Sequence, residues 1–111
     1  MASAAVVGAA WWVLDRVEVV GASMSPTYEE GDRLLLVRRY RALRPGDLVA
    51  LRDPRDASRT LVKRVVDVDG DGVTVRGDNG AASTDSRAFG AVPARAVTHL
   101  VAKRYHAASA S

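Results

Sequence analysis

The sequence predicts a mainly β protein, one small and strongly bent sheet or barrel preceded by a short apolar N-terminal segment. Three observations point there. Runs rich in Val, Leu and Thr are short, Gly, Pro and Asp turn signals interrupt them at close intervals, and no helical period is sustained beyond the N-terminus. With 111 residues, 48% hydrophobic and 5% aromatic, the chain fits one compact domain with a modest aliphatic core and leaves no room for a second.

Taken in order, residues 1–14 form the apolar segment, 15–106 the β domain, and 107–111 a small, polar tail expected to be disordered. The apolar stretch 4–14 is too short to cross a bilayer, which takes about 20 residues in a helix. No Lys or Arg precedes it, as one would in a secretory signal. Its Trp11-Trp12 pair suits a lipid interface, so peripheral membrane contact is one expectation. The other is a segment that caps the core or lines a peptide groove. Strands are expected at 16–20, 33–37, 47–51, 60–68, 73–76 and 97–103, each a run of β-branched or aliphatic residues. Turn residues separate them at 29–32, 44–47, 53–59 and 69–72.

The chain has no cysteine, which excludes disulfides, a thiol nucleophile and a thiolate zinc site, and makes the cytoplasm the expected compartment. The formal charge of +3 comes from interspersed signs and permits an acidic partner without demanding one.

Chemistry is expected from three segments. In Gly21-Ala22-Ser23-Met24-Ser25-Pro26-Thr27 the proline stops the preceding strand, so Ser23 sits on a turn. A serine hydroxyl needs an adjacent base to act as a nucleophile, and a tight turn can aim its backbone N–H at a developing oxyanion. Gly21 lets backbone approach a substrate closely. In Thr60-Leu61-Val62-Lys63-Arg64-Val65-Val66 the two-residue period puts Lys63 with Leu61 and Val65 on one face and Arg64 with Val62 and Val66 on the other. One cation must therefore lie against apolar surroundings. Desolvation can strip the proton from a lysine there, lowering its pKa from about 10.4 towards roughly 7–8, which arginine does not allow. Alternatively, Lys63 snorkels from a sheet edge to water. The third segment, Gly77-Asp78-Asn79 with Ser83, Asp85, Ser86, Arg87 and Gly90, has the composition of any turn-rich loop.

In their order, the segments G-x-S-M-x-P-T (21–27), Gly31-Asp32, Pro45-Gly46-Asp47, V-K-R-V-V (62–66) and G-D-N-x-x-x-S-x-D-S-R-x-x-G (77–90) resemble the type I signal peptidase family of serine proteases. The resemblance implies the family's β catalytic core and a catalytic dyad of Ser23, the nucleophile, and Lys63, the general base. It also implies that Ser83 orients the lysine and that Asp85 and Arg87 form an ion pair shaping the site. Arg64 and Asp78 are matched without a definite role, Asp78 being taken as supporting. Some members carry a serine where this chain has Gly21, and its hydroxyl helps hold the oxyanion. Here the N–H of Ser23 is expected to serve without it, beside the Gly21 backbone. The transmembrane anchor of the family and the large extra β-domain of some members are expected to be missing.

Among relatives of this size, the chain most resembles the proteases that mature nickel-type superoxide dismutase. The similarity rests on the short form, on R-P-G-D-L-V (44–49) and on D-S-R-A-F-G-x-V-P (85–93). It implies removal of an N-terminal leader from a precursor protein bound as an extended peptide, with no cofactor, metal, nucleic acid or oligomer. A minimal signal peptidase acting on secretory preproteins is the alternative.

Other readings fit less of the chain. A Ser-His-Asp triad would need His99 or His106, which fall in or after the last strand and outside every matched motif. Asp67-Val68-Asp69-Gly70-Asp71-Gly72 opens like a calcium loop, with Asp78 at the twelfth position, but strand-like flanks favour a hairpin turn. Arg38, Arg39, Arg41 and Arg44 suggest a nucleic-acid-binding β-barrel, yet only Tyr40 offers a stacking surface among them. Self-cleaving repressor domains of the LexA type resemble the first two motifs and lack the 77–90 pattern.

Overall fold

The computed structural model describes residues 14–80 and 86–108. Among them seven strands form a single antiparallel sheet: β1 (Leu14–Glu18), β2 (Arg33–Arg38), β3 (Leu48–Asp53), β4 (Asp56–Asp69), β5 (Gly72–Arg76), β6 (Val92–Pro93) and β7 (Val97–His106). Their spatial order is β1-β2-β7-β3-β4-β5-β6. The expected mainly β class is therefore the observed one. A short helix α1 (Ser86–Phe89) and a 3-10 turn (Ala94–Ala96) flank β6.

Two turns explain the tightest connections. Asp69 pairs with Gly72 across a two-residue loop in which Gly70 has φ +58°, the left-handed geometry that hairpin turns favour. The Asp67–Gly72 stretch is thus a hairpin, and the described residues contain no group of side chains able to hold a metal. Asp53 pairs with Asp56, and the Asp53 carboxylate accepts the Arg55 N–H at 2.8 Å, an Asx turn.

The expected break at 53–59 is longer than the observed one, Pro54-Arg55, for this second reason: Asp56 to Arg59 already belong to β4. They are exposed throughout, so no buried face marks them in the sequence. The first strand also lies two residues earlier than expected, because Val19 turns out of register and bonds to the chain before β2. Its N–H donates to Asp32 O, and its carbonyl accepts from Gly31 N, both at 2.8 Å. The last strand runs on to His106, held by β2 through two register irregularities that bend the ladder. Ala108, in the tail expected to be disordered, donates its N–H to Asp32 Oδ1 at 2.8 Å.

The curled sheet has two core clusters. Val49, Leu51, Leu61, Val65, Val73, Val75, Val97 and Leu100 belong to one. Met24, Tyr28, Leu34, Leu36 and Ala50 belong to the other, beneath the turn that follows β1. Adjacent residues of β3, Val49 and Ala50, point into different clusters, as the two-residue period requires.

Candidate active site

The turn carrying Ser23 is fixed from below. Met24 is 1% exposed and packs with Tyr28, Leu34 and Leu36, so its neighbour Ser23 is carried to the surface of that cluster. Ser25 N donates to Ala22 O at 3.1 Å and Tyr28 N to Met24 O at 2.8 Å, which coil the backbone around the serine. Gly21 has φ +82°, and a Cβ there would meet nothing within 4 Å. Its conformation, more than any crowding, calls for glycine. The Gly21 N–H is engaged by Glu30 Oε1 at 3.1 Å, whereas the Ser23 N–H donates to no described residue.

Lys63 lies in the middle of β4, opposite Val49 of β3. It is 2% exposed and shares its face with the buried Leu61 and Val65. Arg64 is the outward cation of the pair. The two expected site residues then meet at one place: Ser23 and Lys63 both border a cleft of about 380 Å³, together with Val17, Val19, Gly21 and Leu61. Its two walls are strand edges. Within the described sheet β1 pairs only with β2, and β4 pairs with β5 only from Arg64 onward, so among the described residues no strand pairs with Asp56–Val62 on that side.

A second set of contacts ties this cleft together. Arg64 grips Asp78 in a bidentate pair, Nε to Oδ1 and Nη2 to Oδ2, both at 2.9 Å. Thr27 Oγ1 donates to Asp78 Oδ2, and Asn79 N donates to Ser23 O at 2.8 Å. The Ser23 turn, the residue after Lys63 and the Gly77-Asp78-Asn79 bend are thus joined through one carboxylate and one backbone bond. The hydrogen bonds from Arg64 hold the Asp78 carboxyl below its ordinary pKa, with Thr27 adding to the effect. Arg87, on α1, sets its guanidinium against Gly80, where a Cβ would lie 2.9 Å from Nη1. Ser83 and Asp85 lie outside the described residues, as do Trp11 and Trp12.

Sequence reading left Arg64 and Asp78 without a definite role and passed over Asp32 except as a motif position. Asp32 is 2% exposed and accepts from Glu29 N and Ala108 N, with Arg104 Nη1 at 3.2 Å. Those bonds, the one from Ala108 above all, hold its carboxyl below the ordinary range. It braces the end of β7 against the loop whose Glu30 holds Gly21. The signal was the Gly31-Asp32 pair, which periodicity does not interpret.

Neither histidine lines the Ser23 cleft. His99 occupies a smaller neighbouring pocket with its Nε2 3.8 Å from Asp15 Oδ2, and burial pushes its imidazole pKa down. His106 is exposed at the end of β7.

The sequence profile of the family described as signal peptidase, peptidase S26, matches residues 1–79. The chain belongs to the peptidase S26 family. Among curated relatives of this peptidase S26 chain is the mitochondrial ATP-independent inner membrane protease subunit 1a of Arabidopsis thaliana. It is 34% identical over 108 aligned positions, covering 74% of this chain and 64% of the relative. The mitochondrial inner membrane protease subunit 1 of Homo sapiens is 29% identical and that of Xenopus tropicalis 32%, each covering 66% of this chain and 58% of the relative. The match thus spans about three fifths of these relatives' length. The family is described by its signal peptidases, and these relatives are named as proteases.

Proposed function

We propose that the protein is a serine endopeptidase that removes an N-terminal leader from a precursor protein, with Ser23 as nucleophile and Lys63 as general base. The observation that carries this is the meeting of the Ser23 turn and the buried Lys63 in one cleft. Burial beside Leu61, Val65 and Val49 disfavours an ammonium, which favours the neutral amine that a general base requires.

In the reaction, Lys63 takes the Ser23 hydroxyl proton as the oxygen bonds to the scissile carbonyl carbon. The carbonyl oxygen becomes an oxyanion facing the Ser23 N–H. Collapse breaks the C–N bond, and the ammonium of Lys63 returns its proton to the leaving amine. Water, deprotonated by the same lysine, then hydrolyses the acyl-enzyme and restores both side chains. The precursor lies extended along the cleft between the edges of β1 and β4, where backbone pairing supplies affinity. Ser83 and Asp85 keep the supporting roles that the family resemblance gives them, orienting the lysine and pairing with Arg87.

The relatives' names favour the signal-peptidase alternative over the maturation of nickel-type superoxide dismutase. They also favour work at a membrane over a purely cytoplasmic enzyme. Among the described residues no helix is long and apolar enough to cross a bilayer, and the Trp11-Trp12 pair suits contact with a lipid interface.

The test is cleavage of two precursors, a secretory preprotein and a nickel superoxide dismutase proform, with sequencing of the new N-termini. Cutting after a small-x-small signal is expected. A cut only in the proform would restore the maturation reading. Lys63→Met should lower turnover by at least about 10²–10⁴-fold while the variant stays folded, and wild-type activity should climb with pH as the amine loses its proton. Unchanged turnover in Lys63→Met refutes the dyad.

A further inference from the structure

The arginine-rich loop after β2 is not used by the site just described. Arg38, Tyr40 and Arg44 are exposed and Arg39 is half-buried. Arg41 alone among the four arginines is neutralised, gripping Asp47 with two bonds of 3.0 Å. Arg38, Arg39 and Arg44 form no ion pair with any described residue. Tyr40 stands 70% exposed between them, one of the most exposed large hydrophobic residues described. Val37, Arg38, Tyr40, Arg41, Leu100 and Val101 line an open groove of about 630 Å³.

The place of this loop narrows its partner. Val37 pairs with Leu14, the first residue of β1. Leu14, at which the apolar run 4–14 of the sequence ends, therefore lies beside the start of the arginine-rich loop. Surplus positive charge, an amphipathic ring at its centre and an apolar stretch of chain attached alongside suit one kind of surface, an anionic membrane. There phosphates meet guanidinium groups and the tyrosine ring lies at headgroup depth.

We propose that Arg38, Arg39, Arg44 and Tyr40 dock the protein on anionic lipid headgroups, with the groove taking a headgroup beside Tyr40. Arg41 holds the loop in shape through Asp47 and is not a lipid contact. The proposal is independent of the Ser23–Lys63 assignment, since none of these residues borders that cleft.

The test uses the full chain in vesicle co-sedimentation, comparing phosphatidylcholine vesicles with vesicles containing about a third phosphatidylglycerol, at low and at high salt. Binding to the anionic vesicles should be stronger and should weaken with salt. In a triple variant, Arg38→Gln, Arg39→Gln and Arg44→Gln, partitioning into anionic vesicles should fall about a hundredfold, or about fivefold for each arginine. Tyr40→Ala should weaken binding to both vesicle types. Hydrolysis of a short soluble peptide and the Tm should match the parent in every variant, which separates loss of docking from loss of the enzyme or its fold. Equal partitioning of parent and triple variant overturns the proposal. So does tighter, arginine-dependent binding to a single-stranded oligonucleotide than to the anionic vesicles, which would assign the loop to nucleic acid instead.

Discussion

Removing the Asp78 carboxylate tests whether the cleft is held together as described. Asp78→Ala deletes both bonds from Arg64 and the bond from Thr27, leaving a guanidinium whose side chain is one third exposed. A bidentate pair of this burial exceeds a surface ion pair, which contributes about 0–1 kcal/mol. It falls short of a fully buried one, whose breaking costs about 3–5 kcal/mol. Because Arg64 regains water on one side, about 2 kcal/mol is the expected loss, or roughly 8–16 °C in Tm for a domain near this size. The assay is thermal and urea unfolding of the single variants Asp78→Ala and Arg64→Ala and of the double variant. The coupling energy should be about 1–2 kcal/mol, since the two side chains meet directly. Turnover should fall further than stability predicts, because the Asn79 bond to Ser23 O rests on the same bend. Additive single effects, or full turnover in folded Asp78→Ala, would refute the idea that this pair positions the serine turn.

Asp32→Asn should cost about 3 kcal/mol at neutral pH, because the carboxylate is buried and accepts bonds from two backbone N–H groups and Arg104. Its folded pKa lies below the ordinary 3.8, so its contribution is complete above the unfolded value and disappears as pH falls through the folded one. The stability gap between parent and variant should therefore close in acid, and a gap constant from pH 7 to pH 2 in urea titrations would contradict the assignment. Gly21→Ala should lower stability by about 1–2 kcal/mol and Gly21→Asn by less, since only backbone conformation opposes a side chain there. Equal losses in thermal melts would mean that space, not φ, is limiting.

Most of the sheet was legible because β2, β5 and the inner half of β4 each bury alternate residues and β3 carries the continuous apolar run Leu48–Leu51, patterns carried by the residues themselves. What escaped had no such face. The outer half of β4 is exposed on every residue, β6 has two residues, and α1 has four. Ser23 and Lys63 were singled out by motifs, and that they line a common cleft needed the structure, since a turn and a mid-strand position carry no record of their separation. Arg64 and Asp78 were visible as letters, but a bidentate pair between a strand and a later bend has no sequence period.

The contacts that hold the serine turn explain why a small sheet can carry such a site. A turn of glycine and small polar residues has little packing of its own, and ordering it costs roughly 1–2 kcal/mol per residue in backbone entropy. Here Met24 anchors it in the core, Asp32 braces the loop behind it against the end of β7, and Asp78 ties it to β4 through Arg64. Each anchor comes from a different part of the chain, so the turn is ordered only when the whole sheet is formed. The proposed lysine is fixed by the same event, because its burial requires β3 and β4 to be paired. Local unfolding that frees the serine turn should then also expose Lys63. Amide exchange of Tyr28, whose N–H donates to Met24 O, and of Lys63 should share one opening free energy close to that of global unfolding, and clearly faster exchange at Tyr28 would show that the turn opens by itself.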